Sequence, residues 1–231
     1  QIVGTAGFNK GFLWDARMPG KACTFEQWIE STSVDDLARF VVDEVEHGMN
    51  GTDVRGGQVK FGTGYNSITP LEIKTIRAVC RAHLETGAPI HSHTEAGTMA
   101  LEQMQYLREE GIDLHNVSFG HMDRNPDPWM HRKVAETGAY LCFDGIAKVK
   151  YNPESVRIRC ILELARAGHQ KQILVSGDTA RKSYYRSYTH AVGLLDSRLV
   201  EEANEAGIDG QKLVEDIFIN NPRECFTFKK G

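Results

Sequence analysis

The 231-residue chain has little of what would tie a sequence to an oxidising compartment, a membrane or a nucleic acid. Its five cysteines, Cys23, Cys80, Cys142, Cys160 and Cys225, are odd in number and scattered, and none form a Cys-x-x-Cys pair. That argues against a disulfide framework and against a zinc ribbon. They read as reduced thiols, most of them buried, in a cytoplasmic protein. Positive charge is not in excess: a net charge of -4 and a pI near 6.2 leave no basic footprint for nucleic acid. No apolar run approaches the roughly 18 residues that a membrane span needs. No secretion signal accompanies Asn116-Val117-Ser118, so that glycosylation-like triplet reads as accidental. Linkers and low-complexity stretches are missing too, so a single domain over 1–231 is expected. The first residue is Gln1 rather than methionine, and it opens directly into IVGTAGF, as if a strand were already under way.

What is present is ordinary globular material. With 41% hydrophobic and 25% charged residues, the chain can fill one substantial core. Short apolar runs alternate with helix-period stretches, the βαβα rhythm of a parallel sheet. Strands are expected at 1–6, 57–62, 89–93, 117–121, 139–143 and 173–176. Helices are expected at 33–47, 70–86, 98–110, 128–137, 155–167, 194–206 and 210–220. Thr69-Pro70 supplies a cap and a first-turn proline, and Gly87, Gly111, Gly138 and Gly168 stand where helices stop. Six strand-helix units fit either an open doubly wound sheet or most of a (β/α)8 barrel. Lys60, His93, His121, Asp144 and Asp178 each fall at or just past the C-terminal end of a different strand. Only a barrel brings five strand ends to one mouth, so the barrel is preferred.

HSHTEAG at 91–97 poses the chemical question. Side chains alternate along a strand, so His91 and His93 share a face and could offer a metal two ligands, or one of them could serve a hydrogen bond inside the fold. Lys60 could equally reach the rim or form an ion pair. Asp178, after a glycine at a strand-to-helix junction, could be a helix cap. Glu95 could support a neighbour or cap a turn. His47, His83, His115, His131, His169 and His190 read as surface or structural.

GGQVKFGTG, HSHTEAG, SFGHMDRNPD and LVSGD, in that order and followed by INNPREC, resemble the phosphotriesterase-related family of the amidohydrolase superfamily over nearly the whole chain. The resemblance implies a (β/α)8 metal-dependent hydrolase with two divalent ions, zinc first, with manganese or cobalt as alternatives. By it, Lys60 is carboxylated and bridges the ions. A free ammonium with a pKa of about 10.4 would repel metal, whereas its carbamate is an anionic oxygen ligand. His93 and His121 would ligate one ion, leaving His91 as a flanking, structural residue. Asp178 would ligate the other ion and take the proton from a metal-bridging hydroxide. The family pattern also has an HxH on the first barrel strand, ahead of the lysine, and this chain shows none. The first two strand-helix units, at roughly 30 residues each, are therefore expected to be missing from a barrel of about 250 residues. The chain as given is expected to be inactive and poorly soluble.

Specificity in such folds lies in the mouth loops. DGIAKVKY after one strand and DTARKSYYRSY after the next gather cations and tyrosines at one rim. Lys150, Arg181 and Tyr184, with Lys148 as a further member, suit a phosphate dianion, although a solvated basic loop has the same composition. The pattern resembles the branch that hydrolyses phosphorylated sugar lactones, with the phosphate as a handle and the ring ester as the reacting bond. Two alternatives remain open: a phosphotriesterase or other ester or amide hydrolase on the same site, and a non-catalytic small-molecule binding protein. A Schiff-base lysine at Lys60 would leave His93, His121 and Asp178 unexplained. The partner is a small molecule, and a homodimer is left open.

Overall fold

The structure, a computed structural model, describes residues 2–179, 193 and 195–229. Among these are six strands: β1 (Gly4–Gly7), β2 (Gly56–Thr63), β3 (Ile90–Thr94), β4 (Val117–Gly120), β5 (Tyr140–Phe143) and β6 (Ile173–Val175). They take the order β1-β2-β3-β4-β5-β6, and β1 with β2, β2 with β3 and β5 with β6 pair in parallel. A doubly wound sheet reverses direction at a switch point, and this order never reverses. It is the strand order of a (β/α) barrel. Among the described residues no helix is long and apolar enough to cross a membrane.

The helices are α1 (Phe25–Ser31), α2 (Val34–Glu46), α3 (Pro70–Thr86), α4 (Ala100–Glu109), α5 (Pro128–Ala135), α6 (Glu154–Arg166), α7 (Val200–Glu205), α8 (Gly210–Glu215) and α9 (Asn221–Cys225). α3 shows the local logic. Thr69 and Glu72 form a reciprocal capping box, Pro70 occupies the first turn, and Gly87 ends the helix with φ 74°. α4 starts at Ala100, not at 98, because Met99 stands in the left-handed region at φ 65°. α1 was not expected, although Thr24 and Gln27 form a second capping box. INNPREC is helical throughout. A π-helical turn, Asp216–Asn220, precedes α9, and this wider turn accommodates Pro222, which cannot donate backward and crowds the carbonyl four residues before it. Asn221 anchors the segment by donating from Nδ2 to the carbonyls of Gln170 at 2.9 Å and Ile173 at 2.8 Å.

The chain divides into two compact units. The first comprises Gln1–Ser118 with Phe226–Gly231. Its core joins Val59 and Phe61 of β2 to Leu37 and Val41 of α2 and to Ile76 and Val79 of α3. Trp28 meets Phe40 edge-on at 5.0 Å between ring centroids and Phe8 at 6.1 Å. The second unit is Phe119–Cys225, with Phe119, Leu141, Phe143 and Ile158 fully buried. Each such side chain contributes about 1.5–3 kcal/mol, so truncating Phe61 or Phe143 to alanine would cost about 3–5 kcal/mol. Cys80, Cys142, Cys160 and Cys225 are buried and form no disulfide, and burial foremost pushes Cys80 up to about 12.

Candidate active site

In the first unit, β2 and β3 run in register with Lys60 opposite His91 and Gly62 opposite His93. Alternation therefore sends Lys60, His91 and His93 to one face, while Val59, Phe61, Ile90 and Ser92 bury themselves on the other. Lys60 and His91 are half-buried and, with Thr5, Gly7, Asn9 and Gln58, line a cleft of about 400 Å³. His91 Nδ1 lies 2.9 Å from Ser118 Oγ, so this histidine has a hydrogen bond inside the fold while sharing the cleft with Lys60. His93 is buried, and its Nε2 lies 3.0 Å from Glu95 Oε2. Lys10 Nζ reaches the same oxygen at 2.5 Å. Burial alone would raise the Glu95 pKa, but hydrogen bonds and charge from Lys10 and His93 outweigh it and hold the carboxyl at about 2.

In the second unit, His121 follows β4 with φ 62°, a left-handed residue that turns its side chain back beside the end of β5. Asp144 meets it there twice: Oδ2 accepts the His121 backbone N–H at 2.8 Å, and Oδ1 lies 2.7 Å from Nδ1. Burial would raise the Asp144 pKa, yet His121 and Arg124 more than offset it, so the group stays an ionised carboxylate below its usual range. Asp178, also left-handed at φ 41°, lies after β6. Its Oδ2 is 2.5 Å from Lys148 Nζ and 3.2 Å from Arg124 Nη2, and Lys148 also donates to its backbone carbonyl at 2.5 Å. Any helix that Asp178 might cap would fall outside the described residues.

The loop after β5 is fastened from below by Arg157 of α6, which is fully buried. It donates to Asp123 Oδ2 at 2.6 Å, to Glu154 Oε1 at 2.9 Å and to the carbonyls of Lys148 and Asn152 at 2.9 and 2.7 Å. Burial, then the neighbouring Asp144 charge, push the Asp123 pKa up against the pull of Arg157 and Arg124. The proposed phosphate residues separate here. Lys148 is 8% exposed and engaged with Asp178, whereas Lys150 is exposed with Nζ 4.7 Å from the centroid of the Tyr151 ring. The Arg124 guanidinium lies 4.3 Å from the same ring. Arg181 and Tyr184 lie outside the described residues.

Sequence reasoning did not assign Asp144, Arg124 or Arg157, and it left Glu95 undecided. Asp144 carried a signal, its place at a strand end; Arg157, in an amphipathic helix, carried none. Among the described residues no three His, Cys, Asp or Glu side chains gather as a ready metal site. The donor chemistry nonetheless suits divalent ions. Histidines that ligate metals usually give their second ring nitrogen to a carboxylate, and both His93 and His121 hold one in that way. Asp178 is neutralised by two cations, the kind of charge a divalent ion would supply.

The phosphotriesterase family, compared as a whole, matches residues 1–226. A lactonase from Listeria monocytogenes superposes with a TM-score of 0.94 at 60% identity, covering 100% of this chain and 74% of its own. A phosphotriesterase homology protein from Escherichia coli, solved with phosphate in its active site, gives 0.85 at 31% identity, covering 97% of this chain and 74% of its own. A phospho-furanose lactonase from Mycoplasmopsis agalactiae is 35% identical over 98% of this chain and 67% of its own length.

Proposed function

The chain belongs to the phosphotriesterase family, and from that premise we propose that it is a metal-dependent hydrolase that opens phosphorylated sugar lactones. The observation that carries this reading furthest is the 60% identity to a lactonase along the whole chain. The basic rim and the phosphate held by the Escherichia coli relative support the choice of a phosphorylated substrate.

In this reading Lys60, as its carbamate, His93, His121 and Asp178 would be the residues that hold the ions. Zinc is the expected metal, with manganese or cobalt as alternatives. Such ions, when bound, lower the pKa of water and polarise a carbonyl oxygen. Asp178 accepts the proton of the attacking water at its carboxylate as the new acyl C–O bond forms. The ring ester C–O bond breaks, and the departing ring oxygen takes up the proton held by Asp178. Lys150, Arg181 and Tyr184 hold the phosphate through charge-assisted hydrogen bonds and so fix the ring over the site.

A second reading, a hydrolase of another ester or amide at the same site, draws on Lys148, whose ammonium lies 2.5 Å from Asp178 Oδ2. Hydrolysis of a phosphorylated lactone, its unphosphorylated analogue and a phosphotriester by the zinc-loaded protein separates the readings. A kcat/KM at least tenfold higher for the phosphorylated lactone is expected. Equal rates on the two lactones would favour the second reading, and binding of lactone without turnover would make the protein a binding module.

A further inference from the structure

We infer that Glu95 is a positioning residue, anchored by Lys10, that fixes the tautomer of His93 so that Nδ1 is the nitrogen turned toward metal. The inference rests on the metal-dependent reading above. Three observations in the first unit support it. Glu95 Oε2 lies 3.0 Å from His93 Nε2, and since an ionised carboxylate only accepts, the proton of a neutral His93 belongs on Nε2. The same oxygen takes Lys10 Nζ at 2.5 Å, with side chains only 15% exposed for Lys10 and 26% for Glu95. The contact is built into the backbone as well. A Cβ at Gly62 would stand 3.0 Å from His93 Cβ and 3.1 Å from Lys10 N, so a glycine there is what lets the Lys10 segment close over β2 beside the histidine.

Glu95 therefore does more than begin a turn. It follows His93 by two residues, yet Ala96 takes a left-handed conformation at φ 53° and the carboxylate faces back to the imidazole. A carboxylate held by a lysine cannot swing away to release the ring, so the imidazole orientation is fixed before metal arrives. Outer carboxylates of this kind tune metal affinity or activity by about 10- to 100-fold.

The test uses Glu95→Ala, Glu95→Gln and Lys10→Met in the full chain, with two readouts. The first is the nitrogen-15 NMR signature of the His93 ring without metal, at a pH well above the ordinary histidine pKa of about 6.5. The unmutated chain should show the proton on Nε2, and Glu95→Ala should show a mixture of tautomers. The second is zinc affinity against a competing chelator, alongside kcat and KM. Glu95→Ala should weaken zinc binding by about tenfold and lower kcat at limiting zinc, with excess zinc restoring it and KM unmoved. Glu95→Gln, whose amide oxygen still accepts from Nε2, should recover most of the affinity, and Lys10→Met should lose less than Glu95→Ala. An unchanged His93 tautomer in Glu95→Ala would overturn the inference even if zinc binds. Failure of the unmutated full-length protein to bind zinc would overturn the metal-dependent reading, with the NMR result still deciding the role of Glu95.

Discussion

His93 and His121 are each held by a carboxylate, but the two carboxylates are themselves held differently. Glu95 gives His93 a single contact from a side chain 26% exposed, steadied by one lysine from a surface segment. Asp144 grips His121 through both oxygens, one of them on the backbone, at 8% exposure. Behind it, Arg157 ties the turn after β4 to the loop after β5 through a fully buried ion pair. The same carboxylate chemistry thus holds one histidine through a single contact steadied by a lysine, and the other through two contacts and burial.

Breaking that buried ion pair should produce the largest effect. Arg157→Met leaves the buried Asp123 and the half-buried Glu154 without their cation, a change that typically costs about 3–5 kcal/mol, and the melting temperature should fall by roughly 10 °C. A variant as stable as the unmutated chain would show that the second unit does not depend on this pair. Asp144→Ala comes next. It should reduce zinc affinity and activity by about 100-fold, against about tenfold for Glu95→Ala, because two contacts and a backbone anchor are lost instead of one. Equal losses at the two positions would remove the contrast drawn above.

Much of the architecture was legible in the sequence. Periodicity placed all six strands within three residues of their observed bounds, and the cap at Thr69-Pro70 and the stop at Gly87 located α3 at both ends. Of the residues expected at strand ends, His93 stands one residue before the end of β3 and His121 directly follows β4, Asp178 comes three residues after β6, and Lys60 lies within β2, three residues before its end. What stayed hidden were the partners. Which carboxylate faces which histidine is set by left-handed residues, Ala96 and His121, that no period announces. Arg157 reads as surface in an amphipathic helix until the buried carboxylates around it are seen. Burial of Lys148 was equally invisible, since a lysine two residues before an exposed lysine looks like part of the same basic loop.

That last point gives a sharper division among the proposed phosphate residues. Arg181→Ala should lower kcat/KM for a phosphorylated lactone by about one to two orders of magnitude, the loss expected from one charge-assisted hydrogen bond of roughly 1.5–3 kcal/mol. It should scarcely change the unphosphorylated lactone. Lys148→Ala should slow both substrates alike if its role is to hold Asp178, and only the phosphorylated one if it binds phosphate.

The smallest effect belongs to the closing helical segment, away from both histidines. Burial would raise Asp216, but Lys212, Asn220 and Gln170 more than offset it and hold its pKa below 3.8. A depressed carboxylate stabilises the fold above its unfolded pKa and loses that contribution as pH falls through the folded value. Asp216→Asn should lower the melting temperature at neutral pH by about 2–4 °C, corresponding to roughly 1 kcal/mol, and the difference should shrink as the pH is taken below 3.8. A difference independent of pH would assign the loss to packing.

Metal dependence underlies both the contrast between the histidines and the proposed chemistry. The most direct measurement is elemental analysis of the purified full-length protein alongside lactone hydrolysis, with and without chelation, both unmutated and carrying Lys60→Met. Activity should track divalent-metal content, vanish on chelation and return with zinc, and Lys60→Met should no longer hold two ions. Full lactonase activity in metal-free protein, or activity untouched by Lys60→Met, would contradict it.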